Sequence, residues 1–215
     1  AVHYAIDREA MAKVLGEGLG EVHSHFLLPG YLGYDKSLPS YSYNLEKAKQ
    51  LVKDAGYPNG VDISLIVINR EADLRQAQML KQMLADAGIR ITIETLERLA
   101  WLAKVQTLKF EFATYYTGVR PDPDSILAGR FQTGEGKNQS GMSDPVMDAL
   151  LAKGRNSMDD TVRQAAYADV QKRIYETAWY GTMWMKGNFS GIQKRVQGLI
   201  ETQGGWNLTG TWLNQ

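Results

Sequence analysis

The sequence contains no cysteine, which excludes disulfides, thiolate metal sites and cysteine nucleophiles together. Histidine is almost as scarce, with His3, His23 and His25 the only three. Of these, His23-Ser24-His25 alone brings two imidazoles close in sequence. Two histidines in a loop with no third ligand nearby make a poor metal site, so structural or solvated histidines are expected. An excess of one charge is also missing: 24 Lys and Arg balance 24 Asp and Glu, leaving no overall field to attract nucleic acid or an anionic membrane. No apolar run approaches the roughly 20 residues needed to span a bilayer. Ala1 begins without the basic and apolar regions of a signal sequence, as a mature or truncated product would.

Catalytic signatures are absent too. The sequence has no G-x-S-x-G, no H-E-x-x-H, no Walker loop and no G-x-G-x-x-G. Gly134-Glu135-Gly136-Lys137 is glycine-rich but follows no strand pattern, which argues against a phosphate cradle. What is present is an ordinary globular composition, 44% hydrophobic and 10% aromatic over 215 residues. That is enough for one large or two small domains with a sizeable core.

Hydrophobic periodicity orders the chain. Asp7 is placed to cap a helix over residues 8–15, with Met11, Val14 and Leu15 on one face. Residues 20–43 follow no period and read as a long loop, functional or wrapped on a partner surface. Asn44 caps a second helix over 45–55. Residues 62–69 include Ile63, Leu65, Ile66, Val67 and Ile68, too apolar for one face to meet water, and predict a central strand covered on both sides. A helix over 71–87 and an alternating strand at 89–94 complete a βαβ unit with a right-handed crossover. Another helix over 98–108 leads to a third strand over 110–117.

That third strand runs into Thr114-Tyr115-Tyr116-Thr117-Gly118-Val119-Arg120-Pro121-Asp122-Pro123-Asp124. Gly118 and the prolines stop the ladder and expose backbone and charged groups at the strand end, the usual place for a ligand in an open α/β sheet. The plainer reading is a strand-to-helix connection with Asp124 as N-cap. Residues 133–143 should be irregular. Asp144-Pro145 opens a helix over 146–153 with Val146, Leu150 and Leu151 inward. Asp159-Asp160 opens another, reaching about residue 177, with Val162, Ala166, Val170 and Ile174 in the core. Short strands near 182–185 and 191–196 precede a tail. Tyr115, Tyr116, Trp179, Tyr180, Trp184, Trp206 and Trp212 are numerous for such a core, yet most are expected inside it, some being suited to stack on a ligand. The fold class is therefore α/β, a mixed sheet with helices on both faces.

Several motifs in order carry a resemblance: Tyr4-Ala5-Ile6-Asp7-Arg8-Glu9; Asn44-Leu45-Glu46-Lys47-Ala48-Lys49; Ala55-Gly56-Tyr57-Pro58-Asn59-Gly60; Asp122-Pro123-Asp124; and Asn138 with Ser140-Gly141-Met142-Ser143-Asp144-Pro145-Val146-Met147-Asp148. From near Ala1 to Trp212 the chain resembles the peptide, oligopeptide and nickel class of bacterial ABC-transporter solute-binding proteins, family 5. The resemblance implies a periplasmic-binding-protein-like lobe. Residues 1–215 would form the second, C-terminal lobe of a bilobed receptor that traps its ligand by hinge closure, the first lobe being absent from this chain. It also implies a periplasmic protein, or an extracellular lipoprotein anchored through the missing part, whose partners are a peptide-like or other small solute and a membrane permease. No cofactor or metal is implied. An isolated lobe is expected to self-associate through the face that its partner lobe would cover, and residues 206–215 are expected to be loosely held.

By the same resemblance, Tyr115, Tyr116, Thr117, Gly118, Val119 and Arg120 form the wall facing the ligand, with Asn138 as a second contact. Receptors of the dipeptide type carry an aspartate near Val119 that takes the peptide ammonium, and an aromatic where Tyr116 stands. Val119 cannot pair an ammonium, whereas the adjacent Arg120 can fork onto a carboxylate. This departure points away from a plain dipeptide receptor. Two alternatives remain at this level: a small hydrolase or transferase using Asp122 and Asp124, which requires a base or metal beside the pair, and a protein-interaction module using exposed loop and tail aromatics.

Overall fold

A computed structural model describes residues 1–115, 120, 122–186, 190–202 and 205–214. The element order is α1 (Val2–Ala5), α2 (Arg8–Leu15), β1 (Gly20–Val22), α3 (Leu45–Asp54), β2 (Val61–Ile68), α4 (Glu71–Asp86), β3 (Ile89–Leu96), α5 (Arg98–Gln106) and β4 (Phe112–Ala113). It continues with α6 (Pro123–Phe131), α7 (Pro145–Arg155), α8 (Asp160–Thr177), β5 (Trp184–Lys186), β6 (Val196–Gln197), β7 (Ile200–Thr202), β8 (Gly205–Asn207) and β9 (Trp212–Leu213).

The apolar run at 62–69 becomes the middle strand of a parallel sheet ordered β3-β2-β4. Its alternation decides which helix covers which face. Leu65 and Val67 point into a cluster with Ala77, Leu80 and Leu84 of α4, joined by Met11 of α2 and Val52 of α3. Ile66 points the other way, against Trp101 and Val105 of α5. Helices thus lie on both faces, and parallel and antiparallel pairings both occur in the fold. Because all three strands run the same way, their carboxyl ends open on one side of the sheet, toward Asn69, Glu97 and Tyr115.

A second core joins α6, α7 and α8 through Leu127, Phe131, Met147, Leu151, Tyr167 and Val170, and it includes Leu27 and Tyr31 from the long loop. Gln171 bolts that loop down, accepting from the Leu27 amide at 3.1 Å and donating to the Gly33 carbonyl at 2.6 Å. Gly33 has φ +88°, and a Cβ there would lie 2.3 Å from the Tyr167 Cβ. The loop is therefore packed onto α8 rather than held for a partner.

Several expectations need correction. The loop over 20–43 begins with β1, which pairs antiparallel with β5; three residues are too few to show an alternation. The short α1 went unread for the same reason. The helix after the strand end is capped by Asp122, whose side chain accepts from the Asp124 amide, and not by Asp124. Val146 is 54% exposed, since the buried stripe of α7 runs through Met147, Leu151 and Gly154. Trp179, Trp206, Trp212 and Tyr115 are exposed, so four of the six aromatics that lie among the described residues are not in the core; Tyr116 lies outside them. The tail forms two separate two-stranded pairs, β6 with β9 and β7 with β8, and a pair of such short strands has no inner face to bury.

Candidate functional site at the strand ends

Tyr115 stands two residues beyond β4, at the carboxyl end of the sheet. Trp101 of α5 stacks on it with centroids 5.2 Å apart and planes 10° from parallel. The guanidinium of Arg130, in the last turn of α6, sits over the same ring at 4.5 Å. Such contacts are worth about 0.5–1.5 kcal/mol for a ring pair and about 0.5–2 kcal/mol for a cation over a ring. Arg130 also donates to Gln139 Oε1 at 2.9 Å. Tyr180 lies beside this group: burial raises its hydroxyl pKa, and Arg130 and Ser140 act against that rise. The ring of Tyr180 packs edge-on against Phe131.

The corner is rich in donors. Among the described residues, Trp101, 1% exposed, has no hydrogen-bond partner for its indole Nε1, and Thr114, 6% exposed and next to Tyr115, has an unpartnered hydroxyl. No carboxylate pairs with Arg120 or Arg130 among the described residues. Buried polar groups left unpaired are uncommon in folded proteins and call for an explanation.

Of the residues singled out from the sequence, Tyr115 and Arg120 lie here. The Arg120 amide donates to the Tyr31 hydroxyl at 2.9 Å, so the long loop fixes the backbone where the strand end turns. Tyr116, Thr117, Gly118 and Val119 lie outside the described residues. Asn138 serves its own loop: Nδ2 donates to the carbonyls of Gln132 and Met142, and Oδ1 accepts from the Ser140 hydroxyl. Trp101, Arg130 and Tyr31 were not singled out. They come from three separate segments, and no spacing in the sequence links them to Tyr115.

Among the described residues Asp122 and Asp124 are each paired with an arginine rather than with a general base. Arg163 Nη2 donates to Asp122 at 2.7 Å and Arg155 Nε to Asp124 at 3.0 Å. The Asp122 carboxylate raises the Arg163 pKa still further above its usual range, as expected for a charge-assisted pair. The second oxygen of Asp124 is sealed from solvent without a partner. No group of three or more metal-ligating side chains occurs among the described residues. His25 Nε2 donates to the Leu38 carbonyl at 3.0 Å, and His23 stands 3.5 Å from Glu21.

Comparison with known proteins gives a consistent result. The family model described as bacterial extracellular solute-binding proteins, family 5 Middle, matches residues 1–138. Heme-binding protein A of Haemophilus influenzae is 24% identical over 96% of this chain. The dipeptide-binding protein of Escherichia coli is 25% identical over 93%. In both cases the match covers 39% of the relative, so the chain spans about two fifths of their length. Among solved structures, HbpA2 from Haemophilus parasuis superposes on the whole chain with a TM-score of 0.90 at 28% identity, over 44% of its own length. The periplasmic binding protein DppA from Helicobacter pylori, in complex with the peptide STSA, covers 85% of the chain with a TM-score of 0.78 at 28% identity.

Proposed function

Because this chain belongs to the bacterial extracellular solute-binding proteins of family 5, we propose that it is the second lobe of a bilobed receptor serving an ABC importer. The receptor captures a peptide-like or other small polar solute in the periplasm or outside the cell and delivers it to a membrane permease. The remaining three fifths or so of the relatives' length supplies the opposite wall of the cleft. An isolated second lobe self-associates through the face that wall covers. The family is one of binding proteins, not enzymes, and the arginine pairs at Asp122 and Asp124 give a hydrolase or transferase reading no support.

The observation that carries this reading is the donor-rich corner around Tyr115, at the carboxyl ends of three parallel strands, where open α/β sheets hold ligands. Recognition there rests on aromatic contact, backbone groups near Arg120 and a charge pair desolvated on closure. A thermal-shift screen of the full-length protein against peptides, glutathione-like peptides, sugars, opines and nickel tests it. A solute that binds only the folded receptor raises the melting temperature by mass action, about 2.7 kcal/mol of stabilisation at one hundred times Kd. A shift by one solute class, reduced in Tyr115→Ala, is the expected result; no shift by any class removes the reading.

A further inference from the structure

We infer that the corner formed by Arg130, Trp101, Thr114 and Tyr115 is an anion-binding subsite, and that the solute this receptor takes presents a carboxylate or an equivalent acceptor-rich anionic group to Arg130. The inference rests on the solute-binding reading and says which chemical class that site takes.

Three facts converge. Arg130 is held in place without a carboxylate partner among the described residues: it meets the Tyr115 ring at 4.5 Å, the neutral Gln139 amide oxygen at 2.9 Å and the hydroxyl of Tyr180. A guanidinium fixed by an aromatic ring and neutral acceptors keeps N–H groups available in a fork that matches a carboxylate. On the far side of the Tyr115 ring, Trp101 carries an unpartnered indole N–H, which can only donate, and Thr114 next to Tyr115 carries an unpartnered hydroxyl, which can donate or accept, among the described residues. Acids are absent from the strand end itself: residues 114–121 contain none, and the two that follow, Asp122 and Asp124, are each taken by an arginine. An ammonium group arriving here finds no counter-charge in the strand end, whereas an anion finds a preoriented cation held by neutral partners.

Packing alone is the competing account, in which Arg130 merely covers an exposed tyrosine. The two accounts differ in the charge they demand of a ligand. The test therefore uses matched pairs that differ only in that charge: N-acetylated di- and tripeptides as free acids and as C-terminal amides, and sugar acids beside their neutral sugars, with free-amine peptides included. Binding of each is measured by calorimetry on the full-length protein and on its Arg130→Gln and Arg130→Lys variants. The inference predicts that the acid of a binding pair is about 10- to 100-fold tighter than its neutral partner. It predicts that Arg130→Gln removes this preference and that Arg130→Lys restores part of it. A best binder that is neutral or cationic, or an acid preference unchanged in Arg130→Gln, overturns the inference and leaves the solute-binding reading intact. Failure of every probe, free peptides included, removes that reading and the subsite with it.

Discussion

Two arginines in this fold hold opposite positions. Arg8 is 7% exposed and also lacks a carboxylate partner among the described residues, yet its donors are taken by the chain itself. Nε donates to the Thr182 carbonyl at 2.8 Å, and Nη1 to those of His3 and Tyr41 at 3.0 and 2.9 Å. Four separated pieces of chain meet there: α1, α2, the end of the long loop and the approach to β5. His3 completes the knot, stacking on Tyr41 at 4.4 Å and donating from Nε2 to the Ala178 carbonyl at 3.1 Å. Gly181 is required beside it, because a Cβ there would come within 2.8 Å of the imidazole. Around Arg130 the balance is reversed, with donors left over. A buried cation satisfied by carbonyls belongs to the fold; a cation held beside unsatisfied donors is available to a ligand.

The largest test of this contrast is Arg8→Met, which keeps the apolar stem and removes every donor. It leaves the carbonyls of His3, Tyr41 and Thr182 without their partner, and each buried carbonyl left unpaired costs about 1–3 kcal/mol. A loss of about 3–5 kcal/mol in urea denaturation is expected. A loss below about 1 kcal/mol would show that the knot does not hold these segments together.

A smaller effect is expected from pH. Burial lowers the His3 pKa below 6.5, and the nearby Arg8 charge adds to this, while the bond to Ala178 acts the other way. As pH falls, the unfolded chain therefore takes up this proton before the folded one does, so stability rises with pH across the window below 6.5 and is lost on acidification. The Arg173 guanidinium, with helix amides, lowers the Asp144 pKa below 3.8, so that carboxylate loses its stabilising charge only at more acid pH. The fall in melting temperature as pH drops below about 6.5 should be smaller than the loss that Arg8→Met causes at neutral pH, and His3→Phe, which retains the stack on Tyr41, should flatten the slope in that window.

Elements whose physics is local were legible in the sequence. Asp7, Asn44, Asp144 and Asp159 cap their helices as expected, each accepting from amides in the first turn. The apolar run of β2 became the middle strand because its two faces meet different helices. The resemblance located the family, and the match over residues 1–138 shows it. The sequence did not reveal what depends on distant contacts. Trp101 and Arg130 reach Tyr115 from different helices, and Tyr31 reaches Arg120 across 89 positions. Arg8 sits within a recognised motif, but its role depends on Thr182, far along the chain. The exposed tryptophans misled because aromatic character measures how much area a side chain offers to bury, not whether anything covers it.

The most direct measurement is the stability of Arg130→Gln without any solute, compared with wild type and Arg8→Met in one urea series. If Arg130 is not committed to the fold, removing its charge costs only its contacts with neutral partners, the Tyr115 ring, Gln139 and Tyr180, about 1–2 kcal/mol and well short of the Arg8→Met loss. A loss as large as that of Arg8→Met would contradict the account, making Arg130 a part of the scaffold and the strand-end corner a piece of packing.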